Sequence, residues 1–213
     1  MPTVMDSLWP VVAVLASYLL GSLSFAVIVS RFMGLADPRS YGSQNPGATN
    51  VLRSGNKRAA VLTLRLDALQ GALPVALVLA FGAPHGLGPE VAALCGLAAF
   101  LGHLDPVFFG FAGGKGVATA VGVLLGLNGA LALATLLTFA IVLYFSRYVS
   151  LASMVAAVFA PAYYLFGDGV AWQASASEVL SLAIMAVLLV WRHRANINRL
   201  LAGTESKLGR HKS

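Results

Sequence analysis

The chain has 213 residues, 58% of them hydrophobic and only 10% charged, against roughly 25% charged in ordinary soluble domains. Its mean hydropathy of +0.81, with several apolar runs near the ~20 residues that cross a bilayer as a helix, excludes a soluble globular enzyme. The formal charge of +6 does not signal nucleic acid, because the basic residues gather in short segments beside apolar runs, the habit of cytoplasmic membrane loops.

These features predict an all-α, polytopic membrane helix bundle. No long polar linker interrupts the chain, so residues 1–213 read as a single integral membrane domain. The one cysteine, Cys95, lies in an apolar run and excludes an intramolecular disulfide or a multi-cysteine metal site. Asp6 is the only charge before the first apolar run. A retained helix with its N-terminus outside is therefore expected, without a cleaved signal peptide.

In chain order, the first helix is predicted from about Ser7 to Phe32, followed by a Gly-, Pro-, Ser- and Asn-rich segment from Gly34 to Lys57. A second runs from about Arg58 to Phe81, then an outer turn, Gly82-Ala83-Pro84-His85-Gly86. The third runs from about Pro89 to Phe108 and leads into a glycine-lysine loop. Val117 to Phe145 reads either as one long helix or as two, broken at the turn dipeptide Asn128-Gly129. The broken version gives seven crossings and places all 14 Lys and Arg residues on one side, with the C-terminus cytoplasmic. Asp6, His85, Glu90, Asp168 and Glu178 then occupy the outer face. The unbroken version scatters the basic residues, so charge bias selects seven helices.

The fourth and fifth helices, Val117–Leu127 and Gly129–Phe145, are expected to be short. Eleven residues at 1.5 Å each span about 16 Å, too little for a full crossing. Gly122 and Gly126, at small-xxx-small spacing, should let a neighbouring backbone approach. A sixth helix, about Ser150–Phe166, a seventh, about Glu178–Trp191, and a basic tail from Arg192 to Ser213 complete the chain.

Three polar stretches fall on the predicted cytoplasmic face. Tyr41 to Arg53 offers Ser43, Asn45, Thr49 and Asn50 as hydrogen-bonding groups and Arg53 as a planar cationic fork for phosphate. Capping of a short helix by Asn45 or Thr49, with Pro46 in its first turn, accounts for some of these residues but not for the whole cluster. Gly110 to Thr119 contains Gly113, Gly114 and Gly116 around Lys115. Such a loop entering a helix turns backbone N–H groups towards one point and favours an anion. It reads equally as a tight turn whose lysine marks sidedness.

Arg192 to Lys207 contains His193 and Asn196, three apart and on one face if helical. Its alternative is a basic helix meeting anionic headgroups. Glu205 is expected to tie the tail down through an ion pair, and an interfacial His103–Asp105 contact reads as structural. Arg65 is placed to snorkel. Asp67 is expected to pair with a basic loop residue.

This inventory suits binding of phosphates at a membrane surface. It lacks the acidic pairs that hold Mg²⁺, and neither HExxH nor GxSxG occurs. No metal and no cofactor are expected. Positioning and charge stabilisation suffice for catalysis on such a set.

The run Gly42-Ser43-Gln44-Asn45-Pro46-Gly47-Ala48-Thr49-Asn50-Val51-Leu52-Arg53 resembles the first motif of the bacterial acyl-phosphate:glycerol-3-phosphate acyltransferases. Gly113-Gly114-Lys115-Gly116-Val117-Ala118-Thr119 resembles their second. His193-Arg194-Ala195-Asn196-Ile197 with Arg199-Leu200 and Gly203-Thr204-Glu205 resembles their third. Leu66-Asp67-Ala68-Leu69-Gln70-Gly71 and Gly102-His103 also fit.

The resemblance implies a seven-helix bacterial inner-membrane enzyme with a cytoplasmic active site. Such an enzyme transfers a fatty acyl group from acyl phosphate to the 1-position hydroxyl of sn-glycerol 3-phosphate. It implies that Ser43 and Arg53 are essential, that the Gly113–Gly116 loop with Lys115 holds phosphate, that His193 and Asn196 contribute to activity, and that Glu205 serves structural integrity. Gln70 and Ala112, where lysine is common, and Asp105, where an aromatic residue often stands, depart from the pattern. Direct transfer without an acyl-enzyme is expected, as a monomer, with either His193 or a substrate phosphate taking the proton. The competing reading is a membrane carrier for phosphorylated small molecules, and a third is a lipid-binding scaffold that needs only the basic tail.

Overall fold

The computed structural model describes residues 4–209, with side chains from residue 8 onwards; the expectations for the Asp6 side chain and for tail residues 210–213 lie outside them. The described residues contain ten α-helices and no β-strand: α1 Val4–Gly21, α2 Phe25–Phe32, α3 Ala48–Val51, α4 Lys57–Phe81, α5 Pro89–Leu104, α6 Val117–Leu127, α7 Gly129–Ser146, α8 Val149–Phe166, α9 Ala176–Arg192 and α10 Arg194–Leu201. Four are long and apolar enough to cross a membrane, or up to six if the bent pairs α1–α2 and α9–α10 each count as one span. The 11-residue α6 is the short apolar helix of the expected seven. The 18-residue α7 is long enough to cross, so of the two helices expected to be short only α6 is.

Several helix ends follow from local chemistry. Asn56 caps α4 by accepting from Ala59 N, and Asn128 caps α7 by accepting from Ala130 N and Leu131 N. The first helix departs from expectation: it breaks after Gly21 and resumes at Phe25, with a 45° bend. Ser22 Oγ turns back onto the Tyr18 carbonyl at 2.9 Å, and a Gly-Ser pair with such back-bonding is a physical cause of a kink. Helix α5 stops at Leu104, short of Phe108, because Pro106 disfavours helical geometry at Asp105 (φ −131°, ψ 71°). Helix α9 begins earlier than expected, with Ser175 capping the Glu178 N–H.

The chain divides into two compact units, Met1–Leu127 and Asn128–Ser213. In the first, α5 is the most enclosed span, with 61% of its apolar window buried, packed by α1, α4 and α6. Its core relies on small residues around Phe100, Leu104, Val75 and Val123. Helices α4 and α6 meet at paired glycines: a Cβ on Gly71 would strike the Thr119 carbonyl, and one on Gly122 the Ala68 carbonyl. A Cβ on Gly126 would meet Val75. This close approach is the one expected of Gly122 and Gly126, and it substitutes dispersion for a hydrophobic force that lipid cannot supply.

In the second unit α8 packs between α7 and α9. Thr138 Oγ1 and Tyr163 OH lie 2.9 Å apart across α7 and α8. At the α8–α9 connection the Tyr164 hydroxyl donates to Glu178, which also accepts from Ser175 Oγ at 2.6 Å. Trp172 stacks on Tyr164 and donates from Nε1 to its carbonyl.

Candidate active site

In the first unit, the segment after α2 is organised by Asn50 of α3. Its Nδ2 donates to the Pro38 and Tyr41 carbonyls at 2.6 and 3.1 Å, and its Oδ1 accepts the Ser43 N–H at 3.0 Å. The amide is buried, so its hydrogen bonds fix the loop backbone. Gly42 (φ +60°) makes this possible: a Cβ there would run into Asn50 Oδ1 and the Arg53 side chain. Arg53 therefore lies against the loop that carries Ser43. Ser43, Thr49 and Arg53 are exposed, whereas Asn45 is half-buried. Gln44 holds an uncommon positive φ of 55° beside Ser43. Val51 anchors the loop, fully buried among Ala26, Val29, Ala59 and Ala60.

The second loop is seated on the end of α5. Gly114 N donates to the His103 carbonyl at 3.0 Å. A Cβ on Gly113 would strike the His103 and Leu104 carbonyls, and one on Gly114 the His103 ring nitrogen Nε2. Gly116 (φ +78°) lies against Phe100 and opens α6, its carbonyl accepting from Ala120 N at 2.7 Å. Between them Lys115 is half-buried at the N-terminal end of α6. Backbone N–H groups and a cation thus adjoin one helix N-terminus, the arrangement that favours an anion.

Beneath this loop runs a buried polar network. Gln70 Nε2 lies 2.8 Å from His103 Nδ1 and donates to Thr119 Oγ1 at 3.2 Å; His103 Nδ1 is 3.9 Å from Asp67 Oδ1. Thr119 is fully buried and faces α4. The sequence predicts a basic loop residue as the partner of Asp67; the structure gives it His103 of α5 instead.

A contact that the sequence does not announce joins the two loops. Asp37 accepts from the Arg39 N–H at 2.9 Å and from its guanidinium at 2.7 and 3.1 Å. Arg39 reaches the Phe109 carbonyl at 3.5 Å and lies 5.9 Å over its ring. The Arg39 hydrogen bonds hold the Asp37 carboxyl below the usual carboxylate range, against the cost of its burial.

In the second unit, α9 and α10 bend by 55° at His193. His193 Nδ1 lies 2.8 Å from the Leu189 carbonyl. A carbonyl only accepts, so Nδ1 carries a hydrogen and Nε2 is the basic nitrogen of the neutral ring. Asn196 Nδ2 donates to Glu205 Oε1, and Arg199 Nε to Glu205 Oε2, both at 2.6 Å. The ion pair expected of Glu205 is thus with Arg199. A third donor, Ser150 Oγ of α8, reaches Oε1 at 2.6 Å. Burial opposes ionisation of Glu205, but the bonds from Ser150, Asn196 and Arg199 outweigh it and hold the carboxyl below its ordinary range.

An all-helical chain with glycine-seated polar loops at its helix ends is similar along nearly its whole length to integral membrane acyltransferases. It is 63% identical over 206 residues to the glycerol-3-phosphate acyltransferase of Albidiferax ferrireducens, covering 97% of this chain and 92% of that one. To that of Bordetella petrii it is 63% identical over 198 residues, 92% of each. Two crystal structures of PlsY, an integral membrane glycerol 3-phosphate acyltransferase, share the fold. The glycerol 3-phosphate form matches with a TM-score of 0.85 at 39% identity, over 94% of this chain and 96% of that one. The lysophosphatidic acid form gives 0.83 at 38%, over 94% and 95%. The family model for glycerol-3-phosphate acyltransferase matches residues 11–203. The chain belongs to the glycerol-3-phosphate acyltransferase family, whose reaction serves phospholipid biosynthesis.

Proposed function

We propose that this glycerol-3-phosphate acyltransferase takes its acyl group from acyl phosphate and delivers it to the 1-position hydroxyl of sn-glycerol 3-phosphate. The products are 1-acylglycerol 3-phosphate (lysophosphatidate) and inorganic phosphate, the first step of phospholipid synthesis. The observation that carries this reading is the Gly113–Gly116 loop, seated on α5 with Lys115 at the start of α6. A phosphate-bearing donor matches such a cradle. The PlsY structures, in glycerol 3-phosphate and lysophosphatidic acid forms, support the acceptor and the product.

In this mechanism Arg53, Lys115 and the N–H groups of Gly113 and Gly116 hold phosphate, while Gly114, expected among the phosphate-binding groups, instead gives its N–H to the His103 carbonyl and seats the loop. Ser43 and Asn196 orient glycerol 3-phosphate. Asn45 and Thr49 add hydrogen bonds, Asn50 sets the Ser43 loop, and Thr119 backs the second loop from below. The substrate hydroxyl oxygen forms its bond to the acyl carbonyl carbon as the carbon–oxygen bond to phosphate breaks, and phosphate leaves with the electron pair. The proton goes to a substrate phosphate, whose second pKa is about 6 and which arrives already positioned. His193, with Nε2 as its basic nitrogen, is the other acceptor. Asp67 and Glu205 act structurally.

The whole chain works as one acyltransferase domain and as a monomer in the bacterial inner membrane. Its N-terminus is outside, and its C-terminus and site are cytoplasmic, the sidedness that the basic residues favour.

Purified protein given acyl phosphate and glycerol 3-phosphate should release inorganic phosphate in step with lysophosphatidate. Failure to do so in detergent that preserves the fold refutes the donor assignment, and exchange of labelled glycerol 3-phosphate across liposomes would instead indicate a carrier. His193→Ala separates the proton acceptors: a residual rate with unchanged pH dependence excludes the histidine base.

A further inference from the structure

We infer that Ser150 is a positioning residue for Asn196, acting through Glu205. The inference rests on the proposed role of Asn196 in the reaction. Ser150 is the second residue of α8, outside all three motifs, and it is buried. Its hydroxyl and the Asn196 amide donate to the same oxygen of Glu205, both at 2.6 Å, while Arg199 Nε holds the other oxygen.

A carboxylate beside an arginine is drawn to a two-pronged, coplanar pair with the guanidinium. Nothing in α10 alone prevents that, since Asn196 and Arg199 lie on the same short helix. Ser150 comes from a different element and pulls Oε1 towards α8. The first turn of α8 also offers the positive end of the helix dipole to the carboxylate. Glu205 is thereby kept in a bridging pose, one oxygen for Arg199 and one for Ser150 and Asn196. Because a carboxylate only accepts, Asn196 must present Nδ2 to it. Its carbonyl Oδ1 is turned to the other side. Glu205 and Ser150 together decide which end of the asparagine amide faces which way.

The segment that carries Glu205 is strapped to the same place. Leu208 N donates to the Arg147 carbonyl at 2.8 Å, an Arg147 guanidinium nitrogen donates to the Leu208 carbonyl at 3.3 Å, and Lys207 Nζ lies 5.3 Å over the Tyr148 ring. Thr204 N and Glu205 N both donate to the Arg199 carbonyl. The tail is thus tied to the α7–α8 turn on one side and to α10 on the other. Ser150 is where these ties meet the functional amide.

The test uses the full chain in detergent with acyl phosphate and glycerol 3-phosphate, comparing Ser150→Ala, Ser150→Thr, Asn196→Ala and the double variant Ser150→Ala/Asn196→Ala. Losing one hydrogen bond to a charged group should lower kcat about tenfold in Ser150→Ala. The KM for glycerol 3-phosphate should change less than kcat, and Ser150→Thr, which keeps the hydroxyl, should recover most of the rate. The double variant should be no slower than Asn196→Ala alone, because both changes disable the same amide. A wild-type kcat in Ser150→Ala, with Asn196→Ala impaired, overturns this inference and leaves the role of Asn196 standing. Multiplying losses in the double variant overturn it too, since they mark Ser150 as a general structural residue. The cycle compares rates per folded enzyme, so a loss of stability in Ser150→Ala does not blur it. Wild-type activity in Asn196→Ala removes the reading on which the inference rests.

Discussion

Replacing Glu205 by glutamine removes a charge while keeping shape, and the structure sets what that costs. The carboxylate accepts three hydrogen bonds, two on Oε1 and one on Oε2. Glutamine has one acceptor oxygen. If that oxygen serves Ser150 and Asn196, its NH₂ faces the Arg199 Nε–H, donor against donor. If it serves Arg199, the NH₂ faces the Asn196 amide. At least one hydrogen bond to a charged group is lost in either pose, each worth about 1.5–3 kcal/mol. The Arg199 side chain is 42% exposed, so water replaces part of its loss and about 2 kcal/mol is expected. For a chain of this size that lowers Tm by about 4–8 °C.

The pH dependence carries the sign. Glu205 has a folded pKa below its ordinary value, so its stabilisation is fully present above the unfolded carboxylate value of about 4.3. It is lost as pH falls through the lowered folded value. Thermal unfolding of wild type and Glu205→Gln in detergent, from pH 7.5 down to 3.5, should show a Tm gap that is constant near neutrality and narrows in acid. No gap at pH 7.5, or a gap of constant size across the range, refutes the reasoning.

Three further outcomes are expected. Gly122→Val drives side-chain atoms into the Ala68 carbonyl and should cost about 3 kcal/mol; a Tm within 2 °C of wild type contradicts the close α4–α6 approach. Asn50→Ala leaves the Pro38 and Tyr41 carbonyls and the Ser43 N–H without the bonds that shape their loop, so kcat/KM should fall at least about tenfold. An unchanged kcat/KM separates Asn50 from the Ser43 loop. Arg39→Ala removes a partly exposed pair, so stability should move by under about 1 kcal/mol, while the lost tie to Phe109 raises KM for a phosphate-bearing substrate. A large fall in Tm with unchanged KM reverses that assignment.

What the sequence made legible was whatever depends on neighbours in the chain. Asn128-Gly129 both breaks the apolar run and caps α7, so the ends predicted for Val117–Leu127 coincide with those of α6. The first helix reads as continuous in the sequence because hydropathy does not register a backbone bend, and Gly21-Ser22-Leu23-Ser24 interrupts hydrogen bonding without interrupting apolarity. Polar residue types marked the site loops, but their division of labour depends on long-range contacts. Asn50 and Thr119 look as available as Ser43 and Thr49 in the sequence, yet the fold buries the first pair. Arg39 meets Phe109 across 70 positions, Gln70 meets Thr119 across 49 and Ser150 meets Glu205 across 55. No local pattern encodes those pairings.

The short α6 shows why the second loop needs its glycines. At about 16 Å the helix cannot be fixed by matching the ~30 Å apolar thickness of a bilayer, so its depth must come from protein contacts. Gly71 and Gly122 fix its position against α4, and Gly113 and Gly114 fix the preceding loop on His103 of α5. Gln70, on α4, reaches both His103 and Thr119, so one side chain links the two attachments. The placement of Lys115 is therefore set by the α4–α5–α6 packing as much as by the turn itself. A substitution on α4 that leaves every loop residue intact, such as Gln70→Leu, acts on the same loop.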